Sequence, residues 1–156
     1  MEEYRVITYQ PTYRDDFVRL NKAWIQRYFR MEPADEELLG DPEGQILGKG
    51  GQIFIALNAR DEAVGCCALV PYPPRDCYEL VKMTVDESVR GHGVGRLLGE
   101  AFMDYARQHD VKRIYLEGNT TLSASLALYR KLGFHEVPMT GDISLERIDI
   151  LMEVDL

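Results

Sequence analysis

Hydrophobic and polar positions alternate along this chain in three patterns, and each predicts a different element. Tyr4-Arg5-Val6-Ile7-Thr8-Tyr9 alternates with a period of two and predicts a strand. Pro11 with Thr12 then opens a helix whose apolar face runs through Phe17, Leu20, Trp24 and Tyr28 at spacings of three and four. A second short helix is expected over 35–39. Asp41-Pro42-Glu43-Gly44 and Gly48-Lys49-Gly50-Gly51 punctuate the chain on either side of a short helical piece. The apolar runs 53–57 and 63–71 flank a turn at 58–62, the pattern of an antiparallel hairpin. After the break Tyr72-Pro73-Pro74-Arg75-Asp76, residues 77–85 supply a third strand. The clearest helix follows, with Val94, Leu97, Leu98, Ala101, Phe102, Tyr105 and Ala106 forming one apolar face until His109-Asp110. A strand at 111–117 comes next, so strand, loop, helix and strand make a right-handed parallel crossover. Asn119-Thr120-Thr121 caps a helix over 122–132 that stops at Gly133, and a strand follows at 134–137. A loop over 138–146 leads to a last strand in which Ile148, Ile150, Met152 and Val154 alternate with Asp149, Leu151, Glu153 and Asp155.

The 156 residues fit one domain, 1–156, with a sizeable core. A net charge of −8 argues against a nucleic-acid surface, which needs clustered Lys and Arg to neutralise phosphate. That charge suits a cationic acceptor, although net charge steers encounter and does not define a pocket. No run approaches the roughly 18 apolar residues of a membrane helix, so no membrane partner is expected. Met1-Glu2-Glu3-Tyr4 lacks the basic start and apolar core of a signal peptide, which makes a cytoplasmic location the expectation. Cys66, Cys67 and Cys77 match neither disulfide nor zinc spacing and read as small core residues; no metal is expected.

Candidate chemistry concentrates where the third hairpin strand meets the amphipathic helix. Between them lies Arg90-Gly91-His92-Gly93-Val94-Gly95-Arg96. Alternating glycines let a ligand approach the backbone, and a helix N-terminus offers unpaired N–H groups with the positive end of its dipole, so the junction suits a phosphate. It is not a dinucleotide fingerprint, since G-x-G-x-x-G fails at Arg96 counted from Gly91 and at Leu98 counted from Gly93. No G-x-x-x-x-G-K-[ST] occurs either. What matches is R-x-x-G-x-G, as Arg90, Gly93 and Gly95 after the strand ending at Val85. This arrangement resembles the pyrophosphate loop of the Gcn5-related N-acetyltransferases, the GNAT superfamily. The segment Asn119 to Phe134, with Tyr129 before Leu132-Gly133-Phe134, resembles the second signature of that family. Together they cover roughly 53–137. For 24–32 and 147–152 the resemblance is only to uncharacterised bacterial members, and it names no substrate.

The resemblance implies an α/β (α+β) fold: a mixed, strongly twisted central sheet of about seven strands, flanked by helices on both faces and splayed between strands 4 and 5. It implies acetyl-CoA as co-substrate, held by Met83, Thr84 and Val85 on the strand, by Arg90, Gly91, His92, Gly93, Val94, Gly95 and Arg96 in the loop, and by Asn119, Ser125 and Tyr129. It further implies that Tyr129 is the acid at the CoA sulfur, and that Asn119 orients the cofactor or a water. Glu79 is the candidate base, because an attacking amine must lose a proton. The plainer alternatives are a core tyrosine and a solvated strand carboxylate. Trp24, Tyr28 and Glu32, each four residues apart, form one stripe if the first helix runs on, and are candidates for the acceptor pocket. Pro33 opposes that continuation. His92, His109 and His135 receive no catalytic role. The reading is transfer of acetyl directly to a primary amine of a small molecule, peptide or protein; the alternative is a non-catalytic acyl-CoA sensor or scaffold. The sequence leaves a homodimer open and does not set the oligomeric state.

Overall fold

In the computed structural model, residues 3–140 and 145–156 are described. Strands β1 (Arg5–Thr8), β2 (Gln52–Leu57), β3 (Ala63–Tyr72) and β4 (Cys77–Val85) form an antiparallel meander. β4 pairs in parallel with β5 (Arg113–Gly118), and β7 (Ile150–Asp155) inserts antiparallel between β5 and β6 (His135–Val137). The resulting mixed sheet has the order β1-β2-β3-β4-β5-β7-β6. Helices α1 (Arg14–Tyr28) and α2 (Pro33–Gly40), with the short α3 (Pro42–Gln45), lie on one side. Helices α4 (Val94–Gln108) and α5 (Ser123–Lys131) lie on the other.

Successive residues of a strand point to opposite faces, so the sheet feeds two cores. Phe54, Leu69, Leu80 and Leu116 pack with Leu98 and Phe102 of α4 and Tyr129 of α5. Ile53, Ile55, Cys66 and Ala68 pack with Phe17 and Ile25 of α1 and Leu39 of α2. Burial on both faces is why the hairpin reads as continuous apolar runs. It also corrects the expectation for the last strand. Leu151 and Glu153 are buried like their neighbours, because β7 is internal to the sheet and Arg75 covers Glu153. β5 starts at Arg113 because the Val111 N–H is still bonded to Ala106 O of α4.

Two backbone features open the sheet where the site lies. Parallel pairing between β4 and β5 runs through Tyr78↔Ile114, Glu79↔Tyr115 and Leu80↔Leu116 and then stops, although both strands continue. Just there β4 carries a bulge: Val81 faces Ala68 and Thr84 faces Cys66, so β4 has one residue more than β3, and Lys82 takes φ 55°. A bulge bends its strand and raises the local twist, which turns the end of β4 away from β5.

Candidate active site

The splay leaves a cavity of about 120 Å³ between β4 and β5. One side is walled by Asn21, Trp24 and Phe29 from α1 and its end, with Glu79, Lys82, Glu117 and Arg147; the other by Leu122, Ser125, Leu126 and Tyr129 at α5. A more open groove of about 500 Å³ runs from there along the end of β4 to the glycine loop. The two spaces share Trp24, Met83, Leu122, Ser125 and Tyr129. A long ligand can therefore lie along the groove with one end in the gap.

Met83, Thr84, Val85, Arg90, Gly91, Gly93, Val94, Gly95 and Arg96 all line the groove, as does Ser125. Gly91 and Gly93 adopt φ +83°, left-handed backbone that side chains disfavour, and a Cβ on either would meet nothing in the protein within 4 Å. The space above them is open for a ligand. The first intrahelical bond of α4 is Leu97 N–H to Gly93 O at 3.1 Å, so the N–H groups of Val94, Gly95 and Arg96 precede the ladder and can serve an anion. Gly95 is glycine for another reason: a Cβ there would lie 3.1 Å from Leu128 of α5.

Tyr129 is 9% exposed, its ring set against Phe134 at 5.9 Å, and its hydroxyl makes no hydrogen bond among the described residues. Burial raises its pKa, so the phenol stays protonated at neutral pH and faces the cavity as a donor. Across the gap the Glu79 carboxyl group also lacks any hydrogen bond or ion pair among the described residues. Burial first, and then the negative charge of Glu117, push its carboxyl up to about 8. Glu117 is raised as well by burial, opposed by the hydroxyl of Tyr115, which donates to it at 2.9 Å.

Three predicted residues sit differently from expectation, and a fourth is partly engaged by its own neighbours. Helix α1 ends at Tyr28, and Glu32 instead caps α2 and pairs with Arg147 at 3.4 Å, so it does not continue the Trp24 stripe into the cavity. The Tyr28 hydroxyl accepts from Arg90 Nη1 at 2.7 Å, which places Tyr28 on the cofactor groove and not in the acceptor space. The His92 imidazole shares a hydrogen bond with the Tyr4 hydroxyl at 2.8 Å and does not line the groove. Asn119 does line the cavity, but its amide donates to Arg147 O at 2.6 Å and accepts from Thr121 N at 2.9 Å. It anchors the segment before β7 with one amide N–H, and the second N–H has no acceptor among the described residues.

That segment carries the residue the pattern did not single out. Arg147 donates twice to the fully buried Asp35, at 2.9 and 2.7 Å, and Lys82 from the bulge donates to the same carboxylate at 2.6 Å. Burial opposes ionisation of Asp35, but the hydrogen bonds from Arg147 and Lys82 override it and hold its carboxyl below the usual range. One carboxylate thus ties α2, the β4 bulge and the segment before β7 together around the cavity. The signal available beforehand was a lysine inside an apolar strand, which at a buried position requires a partner.

Comparisons with known proteins agree with this geometry. The family model described as the Acetyltransferase (GNAT) family matches residues 9–134. The uncharacterized N-acetyltransferase YjgM of Escherichia coli is 32% identical over 108 residues, 65% of each chain. A GNAT-family acetyltransferase from Staphylococcus aureus has the same fold, with a TM-score of 0.86 at 19% identity over 98% of this chain and 99% of that one. A Bacillus subtilis acetyltransferase solved in complex with CoA superposes with a TM-score of 0.71 at 22% identity over 99% of both chains. With the glycine loop at the head of α4, the sheet splayed beyond Leu80 and the family match across 9–134, the chain belongs to the GNAT family of acetyltransferases, which draw their acetyl group from acetyl-CoA.

Proposed function

We propose that this protein transfers acetyl from acetyl-CoA directly to a primary amine that enters from the α1–α2 face, with Glu79 as the base and Tyr129 as the donor to sulfur. The observation that carries this reading is the gap beyond Leu80 and Leu116, where one cavity touches Glu79, Tyr129 and the cofactor groove together. In the proposed reaction the Glu79 carboxylate takes a proton from the ammonium, and the neutral nitrogen attacks the thioester carbon. The C–S bond then breaks with its electron pair on sulfur, which accepts the hydrogen bond of Tyr129. The second proton lost by nitrogen balances the one gained by sulfur, leaving an N-acetyl amine and CoA thiol. Lys82 and Met83, which have no register partner in β3, are the backbone positions nearest the bulge from which a thioester carbonyl could be polarised.

Base catalysis by Glu79 has a definite pH signature. Its active form is the carboxylate, and its pKa lies near 8, so kcat/KM should rise through pH 8 and level off above it. Glu79→Gln should erase that limb, costing about 10-fold at pH 7, where most of Glu79 is protonated, and about 100-fold above pH 9. A profile unchanged by the substitution would remove Glu79 from the chemistry. The cradle is tested separately at Gly93. Gly93→Ala must hold a left-handed conformation costing about 1–2 kcal/mol and sets a methyl group where the pyrophosphate is proposed to lie. Calorimetry should show acetyl-CoA binding weakened about tenfold or more, a loss of about 1.4 kcal/mol. Parent-like affinity would place the pyrophosphate elsewhere.

A further inference from the structure

The charges around the cavity narrow the chemistry of the acceptor, given the reading above. The cations lining it, Lys82 and Arg147, are matched by the carboxylates behind them, Asp35 and Glu32. Glu79 and Glu117 remain. Glu79 lies opposite Tyr115 in the register and Glu117 is two residues further along β5, so the two acids share a face of the sheet and line the same cavity. Neither has an ion pair among the described residues. The nearby guanidinium of Arg75 lies 4.5 Å from the centre of the Tyr115 ring and is bonded to Glu153 and Thr140, while Tyr72 stacks on Tyr115 at 5.0 Å.

Asn21 supplies an independent observation. It is 1% exposed and lines the same cavity. Its amide nitrogen donates to Phe17 O at 2.9 Å, which fixes the orientation of the group, and lies 3.4 Å from Cys66 Sγ. Its Oδ1 has no donor among the described residues. Among the described residues, the cavity therefore presents the acceptors Glu79, Glu117 and Asn21 Oδ1 and no cation without a carboxylate partner.

A monoamine would match one of the two acids and leave the other with no opposite charge beside it, its ionised form still opposed by desolvation. An amino acid would bring its own carboxylate against two more. We infer that the acceptor is a linear aliphatic diamine or polyamine, acetylated at the nitrogen beside Glu79 while its distal ammonium is held by Glu117 and Asn21 Oδ1 takes a further N–H. The chain's net charge of −8 favours encounter with such a polycation. A distal ammonium would also lower the pKa of Glu79, which burial and Glu117 raise and Lys82 opposes, and so favour the carboxylate form the base needs.

The test holds acceptor length fixed and changes only the charge of the tail. With acetyl-CoA saturating, CoA release is measured for 1,4-diaminobutane, n-butylamine and 4-aminobutyrate, and for a lysine-containing peptide. The diamine should exceed n-butylamine in kcat/KM by at least tenfold, 4-aminobutyrate should fall below both, and Glu117→Gln should bring the ratio of diamine to monoamine toward one. Equal or better turnover of n-butylamine, 4-aminobutyrate or the peptide would overturn the assignment, as would a ratio that survives Glu117→Gln. Calorimetry of 1,4-diaminobutane on the CoA-saturated protein separates this inference from the reading it rests on. If no amine is acetylated, the transfer reading fails; diamine binding at least tenfold tighter than that of n-butylamine and dependent on Glu117 still supports the dication site, and its absence overturns it.

Discussion

Tyr129→Phe should lower kcat by about 10²–10³-fold while acetyl-CoA affinity stays within about twofold of the parent. The substitution removes one hydroxyl and nothing else. The ring remains packed against Phe134, and no hydrogen bond among the described residues is lost. Stability should therefore hold or rise slightly, since a hydroxyl without a partner is removed from a site that is 9% exposed. Because burial raises the phenol's pKa, Tyr129 is a weaker acid than a free tyrosine, and the role proposed for it is that of a fixed O–H donor to the sulfur. The loss should consequently be nearly constant across neutral pH, unlike the loss at Glu79. Stopped-flow measurement of CoA release, with calorimetry for binding and a thermal melt for stability, checks all three statements. Unchanged turnover would return Tyr129 to the core as a packing residue.

Asp35→Ala should cost about 3–5 kcal/mol of stability, because breaking a buried ion pair from one side leaves the opposite charge uncompensated. Here Lys82 loses its carboxylate partner, and Arg147 keeps only Glu32 at 3.4 Å. Lys82 is 10% exposed and Arg147 9% exposed at the side chain, and both converge on Asp35. The effect should be insensitive to salt, since screening acts mainly on exposed pairs. Its pH dependence follows from the depressed pKa of Asp35: the contribution is present above the unfolded-state value of about 3.9 and is lost only as pH falls through the lower folded-state value. Parent and variant should accordingly differ fully at pH 7 and converge only in strong acid. Urea unfolding monitored by the single tryptophan, Trp24, measures the difference. A loss below about 1 kcal/mol, the range of exposed pairs, would mean that water reaches the network.

Much of this molecule was legible in its letters because the sheet is buried on both faces and its helices on one. The apolar runs of β2 and β3, the amphipathic face of α4 and the glycine that stops α5 each report a local environment, and local periodicity records that directly. The glycine loop was legible too, because left-handed backbone at Gly91 and Gly93 and a helix N-terminus are short-range requirements. The Trp24-Tyr28-Glu32 stripe failed at its third member. Pro33 restarts the chain as a new helix with Glu32 as its cap, so turn chemistry overrode helical spacing.

Sequence alone thus determined the strand and helix order and the glycine-rich junction at the head of α4, since each depends on neighbours within a turn or a strand. It could not determine which charges meet. Asp35, Lys82 and Arg147 are separated by 47 and 65 positions, and their convergence depends on the bulge in β4 and on the path of the segment before β7. The pairing of Asn119 with Arg147 O, and the meeting of Glu79 with Glu117 across a splayed pair of strands, are likewise products of packing between distant segments. Only the tertiary structure decided that, among the described residues, Lys82 and Arg147 have carboxylate partners while Glu79 and Glu117 have no cation, because electrostatic balance at a site is set by which side chains share it.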